Sequence, residues 1–330
     1  MNEEELQRLR VGSKQEMQQG IALLGQGEWR AALGHFDRAV ALRESFPWRE
    51  DGESAWLLAA AWINRSDALR QLGDERLLPE AIRSLDRGIE AMGHVPLDGD
   101  PMFAERLILA WINRATACGD AGRTEESLAG FAEAENVLET HGRDVTPTRR
   151  FLAAMATINR ARVLLDAGRV EDGWREAAAG VAALRPQEPG DGLIAQTGIR
   201  ARAVLCRALA LLAETPEGTA SAGDWIATAT DAAEEALAIV KRSGLHDPAV
   251  PDLVRYGARI YRVCQPQFLA EFIHEWVGAE GPLAGDPGLR EEMQGVILLA
   301  RAEAETRLRT APHDDEVAQR ELRILRTLEL

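Results

Sequence analysis

The sequence predicts an all-α chain, a solenoid of antiparallel helical hairpins stacked in series, and three observations carry that prediction. Ala, Leu, Glu and Arg dominate while aromatics make up only 5% of 330 residues, the profile of a helical chain with little or no sheet. One segment recurs, as AWINRSDALRQLGD from Ala61, AWINRATACGDAGR from Ala110 and, more diverged, ATINRARVLLDAGR from Ala156. Gly27, Gly73, Gly122 and Gly168 each close a run of apolar residues at helical spacing, and they lie 46, 49 and 46 residues apart by subtraction. A glycine just past a helix end supplies a left-handed cap, so the four mark equivalent helix ends.

Each of these glycines separates a helix A from a helix B. The B segments are EWRAALGHFDRAVALRE, LLPEAIRSLDRGIEAMG, RTEESLAGFAEAENVLET and RVEDGWREAAAGVAAL. Their apolar or small residues recur at i, i+4 and i+7, as in Ala32, Phe36 and Ala39 or Ser127, Phe131 and Ala134, which defines an inner face. Upstream of the recurring motif, EDGESAWLLAA, DPMFAERLILA and TPTRRFLAAMA extend helix A by about two turns.

Beyond residue 186 the punctuation changes. RPQEPGDG reads as a loop, and helix A of a fifth hairpin follows from about Leu193 to Ala213. Its partner is DWIATATDAAEEALAIVKRSG, after the polar ETPEGTASAG. LHDPAVPD breaks the chain again before LVRYGARIYRVC and PQFLAEFIHEWVG, a sixth hairpin with Pro266 in a first helical turn. Two helices close the chain, Leu289 to Thr310 and Asp315 to Leu328. The last, with Val317, Leu322, Ile324, Leu325 and Leu328, either caps the stack or joins two copies into a homodimer. The expected organisation is four hairpins over 1–186, two divergent ones over 187–280, and capping or dimerising helices over 281–330, in one continuous solenoid.

The residues Trp62, Ser66, Leu69, Gly73, Ala81, Leu85 and Gly88 resemble a tetratricopeptide repeat, as do Trp111, Ala115, Cys118, Gly122, Ser127, Phe131 and Ala134. The first hairpin matches through Gly20, Leu23, Gly27, Trp29, Ala32, Phe36 and Ala39, and the fourth through Ala161, Leu164, Gly168, Gly173, Ala177 and Gly180. The repeat is longer than the family's 34 residues, which brings it near the cargo-binding repeats of kinesin light chains in pattern. The resemblance implies a right-handed superhelix in which helix A lines a concave groove, and a role in protein binding. The peptide clamp of chaperone co-factors in this family needs Lys and Asn where Met17 and Ile21 stand here, so a chaperone tail is disfavoured.

A net charge of -15 argues against nucleic acid, because phosphate contacts need a basic stripe. Lys occurs only at Lys14 and Lys241, leaving Arg as the source of nearly all positive charge. The acidic start MNEEELQRLR lacks the apolar core of a secretory signal, and no run of about 18 apolar residues occurs; a cytoplasmic chain with no membrane partner is expected. Cys118, Cys206 and Cys264 are far apart without C-x-x-C spacing, so they read as buried small hydrophobes and neither a disulfide framework nor a metal site. The six His residues are scattered, and no H-E-x-x-H, Gly-rich phosphate loop or G-x-S-x-G is present. No enzyme activity and no cofactor are expected.

The candidate binding residues follow from the recurring Ile-Asn-Arg. Trp62, Ser66 and Leu69 take the packing face, which turns Ile63, Asp67 and Arg70 elsewhere and places Asn64 further round; Asp67 and Arg70 join the candidates for the concave, peptide-binding face. Asn64, Asn113 and Asn159 then form a ladder, one rung per repeat. An Asn amide both donates and accepts, so such a ladder suits the backbone of an extended peptide without reading its sequence; the same three residues also suit helix-to-helix bonds. Arg65, Arg114 and Arg160 either pair with acids of neighbouring helices or show their forks in the groove, and Arg162 and Arg202 are further candidates for ligand carboxylates. The expected function is a scaffold that grips an extended or acidic peptide of a partner protein. The alternative is a sensor, in which the groove binds a small molecule or signalling peptide and transmits a change of conformation.

Overall fold

A computed structural model of the chain describes residues 3–141, 146–185, 192–213, 222–243, 247–264, 266–278, 281–310, 319 and 322–323. Among these residues the structure is all-α, as the composition and periodicity predict. It comprises α1 (Glu3–Gly25), α2 (Trp29–Glu44), α3 (Gly52–Gln71), α4 (Leu78–Met92), α5 (Pro101–Asp120), α6 (Thr124–His141), α7 (Pro147–Asp166), α8 (Val170–Leu184), α9 (Gly192–Ala213), α10 (Ala222–Ser243), α11 (Ala249–Cys264), α12 (Pro266–Val277) and α13 (Pro287–Thr310). The two long polar connections and most of the expected last helix lie outside the described residues. The chain forms two compact units, Met1–Val163 and Leu164–Leu330.

The punctuation glycines behave as caps. Gly27, Gly73, Gly122 and Gly168 have φ of 80°, 68°, 71° and 76°, the left-handed region a side chain would strain. Where the spacing rises to 49, the extra length is a 3-10 turn, Glu75–Leu77, between Gly73 and α4. The other B helices begin two residues after their glycine. At the opposite ends, Asp51 caps α3 by accepting from the Glu53 and Ser54 amides, and Asp100 caps α5, with Pro101 as its first helical residue.

In the first unit α1 packs on α2, α3 on α4 and α5 on α6, while α2 meets α3 and α4 meets α5. The hairpins lock by a small residue on helix A against a large one on helix B. A Cβ built on Gly20 would lie 2.6 Å from the Phe36 ring, so the buried phenyl occupies the place a side chain would need. Ser66 and Leu85, then Ala115 and Phe131, stand at the corresponding positions and all four are buried, Ala115 and Phe131 within one core cluster. In the third hairpin a Cβ on Gly130 would come within 3.0 Å of the Ala115 methyl, so this glycine admits α6 closely against α5. Ile63 corrects an expectation: it is fully buried, 3.1 Å from where a Gly88 Cβ would stand, because α4 covers that side of α3 and its Gly88 leaves room for the isoleucine.

In the second unit α9 is buried nearly all round, being packed against α8, α10 and α11. Helices α11 and α12 form the sixth hairpin and α13 packs on both; Pro266 is the first residue of α12, where its missing N–H costs nothing. No described helix is long and apolar enough to cross a membrane.

Candidate functional site

The first unit presents an ordered row of polar groups on helix A of three successive repeats. Asn64, Asn113 and Asn159 stand at equivalent positions of α3, α5 and α7, all half-buried, and one turn later on the same face stand Asp67, Thr116 and Arg162. The rows are joined crosswise. Asn113 Nδ2 donates to Asp67 Oδ1 at 3.4 Å, and Asn159 Nδ2 donates to Thr116 Oγ1 at 3.3 Å. Each bond runs from one helix A to that of the preceding repeat, and both are long enough to be weak. A turn further, Arg162 donates to Asp120 at 2.7 Å. Within the second unit Arg207 of α9 does the same to Asp166 at 2.6 Å.

Asn64 differs from its two copies. Among the described residues its side-chain amide makes no hydrogen bond, and its atoms are not sealed from water. Two turns upstream on the same helix, Trp56 packs against Phe103 at 5.0 Å between ring centroids, with the Arg106 guanidinium 5.6 Å from the Trp56 ring. Sequence reasoning treated these turns only as lengthened helix; the signal was available, since Trp56 and Asn64 are eight residues apart and share a face.

The arginines of the motif are spent between helices. Arg65 donates through Nε to Asp37 of α2 at 2.6 Å, through Nη1 to Ser84 of α4 at 2.7 Å, and through Nη2 to Glu80. Arg114 donates to Asp86 at 2.6 Å. Both Arg–Asp pairs span 28 residues, so each ties helix A of one repeat to helix B of the repeat before. Arg160 is half-buried at the equivalent place on α7. Arg202 corrects its expected place at a ligand surface. It is 1% exposed, and its guanidinium is held by Glu235 at 2.7 Å and by the Gly198 carbonyl at 3.0 Å; α9 is enclosed on several sides, so this arginine has no open face.

Asp67 is the electrostatically unusual member. Burial pushes its carboxyl up to about 6, against the lowering effect of Arg70 and Arg106. A carboxylic acid with a raised folded value stabilises the fold in its protonated form. Its contribution is therefore fully present below the unfolded value of 3.8 and is lost as pH rises through about 6. Asp67→Asn is expected to raise the stability of the first unit at pH 7.5 by on the order of 1–2 kcal/mol, and to change it little at pH 4. Urea unfolding at the two pH values checks this; equal effects at both would refute the assignment.

Among the described residues no three His, Cys, Asp or Glu side chains gather as metal ligands. Burial raises the thiols of Cys118 and Cys206, the latter to about 12, which suits inert packing groups.

No protein-family model matches the sequence, and no curated protein matches it. The structure is similar to that of aspartyl phosphate phosphatase F from Bacillus subtilis, with a TM-score of 0.55 and 13% identity over 97% of this chain and 72% of that one. It is also similar to the apo form of RapI, with a TM-score of 0.54 and 10% identity over 95% of this chain and 96% of that one. A putative kinesin light chain of nearly identical TPR-like repeats from Podosopora anserina matches with a TM-score of 0.49 and 14% identity over 74% of this chain and 99% of that one. At such identities likeness speaks for architecture. With the glycine caps, the small-against-large hairpin seams and the repeating helix A row, the chain has a tetratricopeptide-like helical-repeat fold.

Proposed function

We propose that the chain is a non-enzymatic interaction scaffold, and that the helix A face of its first unit holds an extended peptide segment of a partner protein. The observation that carries this reading is the row Asn64, Asn113 and Asn159, at one position of three successive helices. Packed helices lie about 8–10 Å apart and an extended chain advances about 3.3 Å per residue, so one rung faces every third peptide unit. Asn113 and Asn159 each use an amide hydrogen on the preceding helix, which fixes the orientation of the side chain; Asn64 has donor and acceptor both uncommitted. Arg70 and Arg106 beside this row supply positive charge for an acidic residue of the ligand, and the half-buried Trp56 and Phe103 supply apolar surface.

The internal bonds decide which variant tests the reading. Asn113→Ala and Asn159→Ala remove helix-to-helix bonds, whereas Asn64→Ala removes none. Peptides selected from a random display library on the folded chain are expected to lose about tenfold or more in affinity for Asn64→Ala, as a lost hydrogen-bond pair in a desolvated site would give, with the melting temperature unchanged. Failure to enrich any peptide, or selected peptides that bind Asn64→Ala as well as the parent, would overturn it.

A further inference from the structure

The second unit holds a cavity of about 300 Å³ where α10, α11 and α12 converge. Its wall is aromatic. Tyr261 and Phe272 stack at 4.7 Å between centroids with 24° between planes, and Trp276 closes the space from within at 1% exposure. Phe272 reaches this depth because α11 carries Gly257, whose missing Cβ would lie 2.4 Å from the phenyl ring. At the mouth Phe268, 42% exposed, adds a third ring open to solvent.

Three carboxylates surround this aromatic wall: Glu234 from α10, and Glu271 and Glu275 one turn apart on α12. Like charges at i and i+4 repel. Only Glu275 is answered, by Lys241 at 3.0 Å; among the described residues Glu234 and Glu271 have no cationic partner. The Tyr261 phenol, hydrogen-bonded to Thr230, is raised by burial first and then by Glu234 and Glu275, in keeping with a negative potential inside the space. A hard metal ion needs converging oxygens at short range, and among the described residues no such cluster exists. Ring faces and carboxylates together instead attract an organic cation, the rings through their quadrupoles and the carboxylates through charge.

We infer that the α10–α12 cavity is a binding site for an organic cation, a guanidinium or ammonium group on an apolar stem, seated against Tyr261, Phe268 and Phe272 and held by Glu234 and Glu271. The site is independent of the asparagine row: it lies in the other unit and uses none of the same residues. A volume of about 300 Å³ fits a cation of side-chain size. Its source is either a free alkyl cation or an Arg or Lys side chain of a polypeptide.

Calorimetric titration of the full chain with 1-butylguanidinium and with the blocked tripeptide Gly-Arg-Gly tests the inference. Saturable binding of at least one is expected, with affinity about tenfold weaker for Glu234→Gln/Glu271→Gln and for Phe268→Ser. These side chains are exposed, so circular dichroism should show both variants folded. Tighter binding of butylguanidinium identifies a free cation as the ligand, and tighter binding of the tripeptide identifies a polypeptide side chain. Absence of saturable binding for both probes, equal binding by neutral butylurea, or undiminished binding by the folded variants would overturn it.

Discussion

Phe131→Ala is expected to lower the unfolding free energy of the first unit by about 3–5 kcal/mol, the range for emptying a fully enclosed aromatic site. The phenyl ring is 1% exposed and belongs to a continuous cluster with Ile112, Ala115, Ala134 and Leu138. Its partner on helix A is already an alanine, and Gly130 has already let α6 approach α5 closely, so little further collapse can fill the void. Urea titration followed by circular dichroism should show an earlier midpoint for one transition at nearly constant slope. A loss under about 1 kcal/mol would mean that the seam relaxes and that small-against-large packing is not what holds the hairpin.

The second large effect lies in the other unit. Gly257→Ala is expected to cost about 2–3 kcal/mol through overpacking, since the new methyl would meet the Phe272 ring at 2.4 Å. The ring cannot swing away freely, because Tyr261, one turn after Gly257 on α11, stacks against its face. Pairing Gly257→Ala with Phe272→Leu should recover part of the loss, a non-additivity that marks direct contact. Strict additivity in thermal unfolding would show that the glycine is needed for another reason.

The Gly257–Phe272 contact also shows what the sequence could and could not say. The first hairpin was readable because Gly20, Phe36 and Gly27 stand at repeat spacing, and Phe36 does lie on the buried inner face of its helix. Gly257 and Phe272, 15 residues apart where Gly20 and Phe36 are 16, make the same lock, yet no capping glycine separates α11 from α12 and no recurring motif flags the pair. Helical periodicity could not place Ile63, since a residue 100° from the packing stripe is turned outward on an isolated helix and inward once a second helix covers that side. The fate of the arginines was similarly undecided: only the positions of Asp37, Asp86 and Glu235 on neighbouring helices determine whether a guanidinium is spent or available. The acidic aromatic cavity was invisible for a plainer reason: Phe268, Glu271, Phe272, Glu275 and Trp276 do share one face of α12, but only the packing of α10 and α11 brings Glu234 and Tyr261 to that face.

The 3-10 turn at Glu75–Leu77 adds three residues to one hairpin, and the Arg65 bonds to Ser84 and Glu80 of α4 reach across it, while the Arg65–Asp37 and Arg114–Asp86 pairs lie wholly on either side. This hairpin edge therefore carries a longer connection than its equivalents while its two helices stay bonded to each other. The short turns after Gly27 and Gly122 occupy corresponding places, between helices whose register is set elsewhere. They are natural ports for engineering, where an epitope, a fluorophore site or a protease sequence can be spliced in while the repeat-to-repeat ties continue to hold the array in phase.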